Sequence, residues 1–219
     1  MASGISRYCD DQSSEIAVTP VIEQSTSRLR KAIKHSNSKG SVDVLMLGDS
    51  LAEKWRPLLK SDFARFSIYN MGISGERTQE LVWRIRNLKP SIEPRNIILI
   101  IGTNNFSDKL MKSCGIYSGI LLSIEEVKKA WPAASLYVLQ MLPRGEEFKY
   151  RNQERKEINK AIGMEMNERR LGVFISIKEE ELTCGGQRHS CENYSEDGLH
   201  LTEKGYRILE KSVLELGLN

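Results

Sequence analysis

Val44-Leu45-Met46-Leu47-Gly48-Asp49-Ser50-Leu51 decides how this chain is read. An apolar run of strand type ends in Gly48-Asp49-Ser50, and a helix-like segment follows. Glycine permits a sharp backbone turn at the junction. A serine at the start of the next helix sits beside unpaired backbone N–H groups, which can face a developing negative charge. Four residues alone are a weak signal, because an Asp and a Ser also serve as helix caps. The weight comes from what surrounds them.

Val42 to Leu47 is nearly all apolar, as in a strand covered on both faces. Phe66 to Tyr69 reads as a second strand running into Asn70-Met71-Gly72-Ile73-Ser74-Gly75. Asn96 to Ile101 is the most hydrophobic strand; Pro90 and Pro94 punctuate the link before it, and Gly102-Thr103-Asn104-Asn105 follows it. Leu136 to Leu142 is a fourth strand, ending in Pro143-Arg144-Gly145, and Val173 to Ile177 a fifth. Helical stretches lie between them. Leu51 to Lys60 is short, and Pro57 argues against its second half. Thr78 to Asn87 is amphipathic, with Leu81, Val82, Ile85 and Leu88 on one side. Ile116 to Ala130 and Asn152 to Arg170 follow, and Thr202 caps a last helix running to Leu216. Upstream, Pro20 opens a helix through Val21, Ile22, Leu29 and Ile33 to about His35. Residues 1–19 lack periodicity and read as a loosely ordered arm, leaving 20–219 as a single domain. Residues 178–196 read as a polar loop.

Strand and helix alternate five times, which predicts an α/β fold of three layers, α/β/α, around a five-stranded parallel sheet. Right-handed crossovers put all the strand C-termini on one edge. The 219 residues suffice for one core. Hydrophobic residues make up 40% and charged residues 28%, an ordinary globular balance. The 32 basic and 29 acidic residues are spread along the chain, so the net charge of +3 leaves no footprint for nucleic acid. No apolar run is long enough to span a membrane, and the first ten residues lack a secretory h-region, so the default compartment is the cytoplasm. There Cys9, Cys114, Cys184 and Cys191 are expected as free thiols; an oxidising environment would allow a Cys184–Cys191 disulfide. Their spacing does not match a zinc site.

The polar clusters fall at the strand ends. Gly48-Asp49-Ser50, Ile73-Ser74-Gly75, Gly102-Thr103-Asn104 and the Asp197/His200 pair therefore meet on one edge of the sheet. A serine hydroxyl needs an adjacent base, and imidazole exchanges its proton near working pH, which favours His200. Asp197 stands three residues earlier and can orient the ring. Ser50 N–H, Gly75 N–H and the Asn104 amide are candidate donors to an oxyanion, each worth ~3 kcal/mol of barrier. Of the other histidines, His35 reads as solvated and His189 as exposed in the polar loop. Asn105 rivals Asn104, and Arg144 either meets an acidic substrate group or pairs with a nearby carboxylate. Asp49 reads as structural, holding the serine loop.

Gly48-Asp49-Ser50-Leu51, Gly75, Gly102-Thr103-Asn104 and Asp197-Gly198-Leu199-His200 together resemble the four blocks of the SGNH (GDSL) hydrolases. The resemblance implies a flavodoxin-like fold, Ser50 as nucleophile, Gly75 and Asn104 completing the oxyanion hole, and Asp197 and His200 completing a triad. Leu81-Val82-Trp83-Arg84, Leu142-Pro143-Arg144-Gly145-Glu146 and Leu199-His200-Leu201-Thr202 are similar to the branch of intracellular platelet-activating-factor acetylhydrolase catalytic subunits. Ser74, Phe106 and Leu51 depart from that branch, where glycine, histidine and methionine stand. The departures bear on the substrate, not the reaction. The expected function is a serine esterase removing short acyl groups, acetyl above all, from a carbohydrate such as an acetylated sugar or sialic acid. It needs no cofactor and no metal, and activity rises with pH as the base loses its proton. An acetylated phospholipid is the alternative substrate, and a binding module without turnover the alternative class. Family analogy admits a homodimer.

Overall fold

Lys39–Gly48 (β1), Ile68–Asn70 (β2), Ser91–Ile100 (β3), Ser135–Leu139 (β4) and Val173–Ile175 (β5) form one sheet in the order β2-β1-β3-β4-β5, every pair parallel. They belong to a computed structural model that describes residues 12–19, 26–55, 62–87 and 89–218. The helices are Gln12–Val18 (α1), Thr26–Ser36 (α2), Ser50–Glu53 (α3), Thr78–Asn87 (α4), Ser113–Ala130 (α5), Asn152–Glu168 (α6), Glu179–Leu182 (α7) and Glu203–Leu214 (α8). The expected helix opening at Pro20, Val21 and Ile22, the stretch from Pro57 to Lys60, and Leu88 lie outside the described residues.

Side chains of successive strand residues point to opposite faces, and in β1 and β3 both faces are apolar. Leu45, Leu47, Ile97 and Leu99 pack with Leu81 of α4, Ile120 and Ile124 of α5, and Ile158 and Ile162 of α6. Val44, Met46, Ile98 and Ile100 pack on the other face with Leu51 of α3 and with Tyr206, Leu209 and Val213 of α8. Each fully buried Leu or Ile contributes roughly 1.5–3 kcal/mol relative to exposure. The two cores fix the register, and the register brings the ends of β1, β2 and β3 level. Met46 pairs with Asn70 and with Ile98, and Gly48 with Ile100.

Several stretches differ from the sequence expectation. β3 begins at Ser91 and runs through Pro94. There it is bonded to β1 alone, since its pairing to β4 starts at Asn96, so the missing proline N–H faces an open side. Within the expected loose arm, α1 docks against α5 and buries Ala17 completely. β4 and β5 stop at Leu139 and Ile175, short of Leu142 and Ile177. The polar loop contains α7, and its cysteines are not free thiols: Cys184 and Cys191 form a disulfide with Cα atoms 5.4 Å apart, and Cys114, also expected as a thiol, is disulfide-bonded as well.

Candidate active site

β1 ends on a backbone that no side chain could follow. Gly48 has φ +130°, and a Cβ there would stand 1.7 Å from the Ile100 carbonyl oxygen. Asp49 N–H donates to that same carbonyl at 3.1 Å. Asp49 then caps α3, its Oδ1 accepting from Leu51 N–H at 2.9 Å. Among the described residues its Oδ2 has no hydrogen-bond partner, and burial pushes the carboxyl up to about 7, partly opposed by the Leu51 bond. Ser50, the next residue, is buried with its hydroxyl turned toward the C-terminal loop.

That loop brings His200 to Ser50. An antiparallel bridge joins Tyr194 to Leu201, Ser195 N–H donates to His200 O at 2.8 Å, and Gly198 turns the chain at φ +64°. Asp197 Oδ1 accepts from the backbone N–H groups of Leu199 and His200, both at 2.9 Å. Its Oδ2 is 2.5 Å from His200 Nδ1, and His200 Nε2 is 2.8 Å from Ser50 Oγ. Burial opposes ionisation of Asp197, but the bonds from the ring and the two N–H groups outweigh it and hold the carboxyl down to about 2. An ionised carboxylate only accepts, so Nδ1 carries the proton and Nε2 is left to accept from Ser50. Gly145 N–H to Gly198 O (2.8 Å) ties this loop to the end of β4. Arg188 donates to the carbonyls of Ser195 (2.6 Å) and Glu196 (2.8 Å). Thr202 caps α8, as expected, by accepting from Gly205 N–H.

Gly75 and Asn104 meet at the ends of β2 and β3. Gly75 has φ +78°. Asn104 Nδ2 donates to Glu76 O at 3.0 Å, which uses one of its two N–H groups and fixes the amide against the Gly75 loop. Behind it the Glu76 carboxylate is gripped by Arg84 through two 2.7 Å bonds, both side chains almost wholly buried. Burial pushes Glu76 up, and Arg84 pulls it back down. Among the described residues, neither Ser50 N–H nor Gly75 N–H has a hydrogen-bond acceptor.

Other expected residues fall elsewhere. Asn105 is fully buried and turned away: its Oδ1 accepts from Thr78 N–H (3.1 Å), and its amide donates to Thr78 Oγ1 (2.9 Å) and Gln79 Oε1 (3.1 Å). It holds the start of α4 and has nothing left to offer a substrate. Arg144 is buried at the β4 end, with its guanidinium 4.6 Å from the Tyr150 ring centre and 5.9 Å from that of Phe106. Burial lowers its pKa, while Tyr150 and Asp49 raise it. His35, expected in solvent, is instead buried edge-on to Tyr69, and burial with nearby Arg84 and Lys31 drives it down to about 4. His189 is exposed. Among the described residues, no group of three or more His, Cys, Asp or Glu could hold a metal ion, and no helix is long and apolar enough to cross a membrane.

Residues 40–208 match the family model described as GDSL-like Lipase/Acylhydrolase family. The chain is 30% identical over 186 residues to the platelet-activating factor acetylhydrolase IB subunit alpha2 of Rattus norvegicus, covering 80% of this chain and 75% of that protein. The alpha1 subunit of Homo sapiens is 28% identical over 185 residues, with 80% and 76% covered. Among solved structures, a chain from Streptococcus pneumonia described as a candidate platelet activating factor superposes with TM-score 0.72 at 24% identity, over 88% of this chain and 92% of that one. An acetyl-xylooligosaccharide esterase from Geobacillus superposes with TM-score 0.58 at 15% identity, over 82% and 94%. At these identities the superpositions speak for the fold.

Proposed function

We propose, from the premise that the chain belongs to the GDSL-like lipase/acylhydrolase family and is an ester hydrolase, that it is a serine esterase acting through an acyl-enzyme. The carrying observation is the unbroken run of bonds from Asp197 Oδ2 through the His200 ring to Ser50 Oγ. In this reading His200 takes the Ser50 proton as the oxygen attacks the ester carbonyl. The oxyanion forms among Ser50 N–H, Gly75 N–H and the spare Asn104 N–H. His200 then protonates the leaving alcohol, and water attacks the acyl-serine with His200 again as base. The chemistry uses this chain's own side chains and backbone N–H groups, with water as the second nucleophile.

The acyl group is short, acetyl above all, and the alcohol is a carbohydrate. A polar alcohol suits the charged side chains that flank the edge, among them Asp197, Arg188, Glu53 and Arg28. Arg144 is the candidate contact for an acidic group on that alcohol. A second reading, an acetylated phospholipid, is supported by the name of the 30% identical relatives. A panel of acetylated sugars, acetylated phospholipid and longer p-nitrophenyl esters separates the two. Ser50→Ala is expected to abolish p-nitrophenyl acetate turnover and labelling by a fluorophosphonate, with an unchanged circular dichroism spectrum. Turnover retained in that variant refutes the assignment, and a wild type that takes no fluorophosphonate returns the chain to the class of binding modules.

A further inference from the structure

A glycine donor has no side chain to hold its peptide in place, so its N–H must be aimed by bonds to its neighbours. Around Gly75 those bonds come from α2 and α3. Ser74 N–H and Ser74 Oγ both donate to Glu53 Oε2 at 2.5 Å, and the other Glu53 oxygen is held by Lys31 of α2. On the far side of the glycine, Arg28 of α2 donates from Nη1 to Gly75 O at 3.0 Å and to Glu80 Oε2 at 3.0 Å. Its guanidinium carbon lies 3.7 Å from where a Gly75 Cβ would stand, so it also closes the space into which the peptide could swing. The same Glu80 oxygen accepts from Arg77 N–H at 3.0 Å, which ties Arg28 to the start of α4. The Ser74–Gly75 peptide, which carries Gly75 N–H, is thus bracketed: the peptide before it is held through Ser74 N–H by Glu53, and the peptide after it through Gly75 O by Arg28. Arg28 lies outside residues 40–208, the span that matches the family model.

We infer that Arg28 is a positioning residue for the esterase reaction: by holding the Gly75 carbonyl it fixes the backbone at Gly75 and so keeps Gly75 N–H, in the preceding peptide, aimed at the oxyanion. The inference rests on the reading that Gly75 is an oxyanion donor. A preorganised donor lowers the barrier more than it strengthens ground-state binding, so its loss should appear in kcat. In Arg28→Ala, kcat for p-nitrophenyl acetate, counted per site titrated to completion with a fluorophosphonate, is expected to fall about tenfold with KM within about twofold. The rate of phosphonylation falls alongside, because the phosphoryl oxygen occupies the same hole. Arg28→Lys keeps the charge but not the fork, and recovers part of the loss. Arg30→Ala, an exposed neighbour on α2, stays within about twofold of wild type. Wild-type kcat per site in Arg28→Ala overturns the inference, as does a loss confined to melting temperature or to the fraction of titratable sites. If Ser50→Ala still turns over, the reading of the whole site fails and the inference with it; a dead Ser50→Ala beside an unaffected Arg28→Ala sinks the inference alone.

Discussion

At the end of β1, Asp49 and Ser50 are 0% and 4% exposed, whereas the Asp197 side chain, which faces them through His200, is 49% exposed. The proposed nucleophile, Ser50, sits where two strand backbones touch, so its position is a property of the sheet. The proposed base, His200, sits on a surface turn, so its position is a property of local hydrogen bonds and of the staples around them. Buried apolar strands rarely open short of global unfolding, while exposed loops open locally at far lower cost. The difference teaches that one site can draw its precision from two reservoirs of stability, and that perturbations should separate them.

The largest separation is expected between Asp197→Asn and Asn104→Ala. The first leaves the oxygen on the Leu199 and His200 N–H groups and turns an amide N–H toward Nδ1, which reverses the His200 tautomer, and turnover should fall by about 10⁴. The second removes one donor and should cost about 10²–10³ in kcat. Comparable losses for the two, measured per titrated site, would erase the distinction between aiming a base and stabilising an anion. A smaller effect is expected from the double variant Cys184→Ser/Cys191→Ser. The bond spans seven positions, and its removal should cost about 2 kcal/mol by the chain-entropy estimate, read as a lower urea midpoint. Turnover per site under folding conditions should hold, because the bonds of Asp197 to Leu199 and His200 are local. A collapse of turnover in folded protein would show that the turn does not stand without its staple. Whether the bond forms in the native host also bears on the compartment, since a glutathione-buffered cytoplasm keeps such pairs reduced. Thiol trapping on freshly lysed cells reads it directly.

The last test concerns the buried half and is read in stability alone. Asp49 keeps its proton to about 7 in the fold but to about 4 in the unfolded chain. Between those pH values the native state holds the extra proton, so wild-type stability declines as pH rises through the window. Asp49→Asn retains the acceptor for Leu51 N–H and has no proton to lose. Its stability relative to wild type should therefore improve from pH 4 to pH 7, by denaturant titration at each pH. A difference that is flat across the window would place the Asp49 carboxyl in a wetter setting than its burial indicates.

Much of this arrangement was legible before any coordinates. The runs Val42–Leu47 and Ile97–Ile101 announce doubly covered parallel strands, and parallel connection forces the clusters at 50, 75, 104 and 200 onto one edge. What stayed hidden depends on partners that sequence spacing does not identify. Pro94 looks like a break unless one knows that β3 has an open side there. Asn105 looks like a second oxyanion donor until Thr78 and Gln79 are seen to consume its amide. His35 looks solvated because its neighbours in sequence are polar, yet Tyr69 covers it. Arg28 carries no signal at all, since nothing in the chain links it to a glycine 47 positions away.

The bridge between Tyr194 and Leu201 has a consequence for how the chain can change. Residues 195–200 are closed on themselves, with the carboxylate and the imidazole carried on one short closed segment. The distance between those two groups is set inside the segment and does not depend on how much chain leads up to it. The stretch between β5 and Tyr194 can thereby lengthen, shorten or acquire new side chains at the rim without changing that distance, so long as the hold of Arg188 on the Ser195 and Glu196 carbonyls is kept. Molecules sharing this layout can vary what they admit while leaving the carboxylate–imidazole pair intact, a modularity that the strand-end positions, locked into the sheet, do not have.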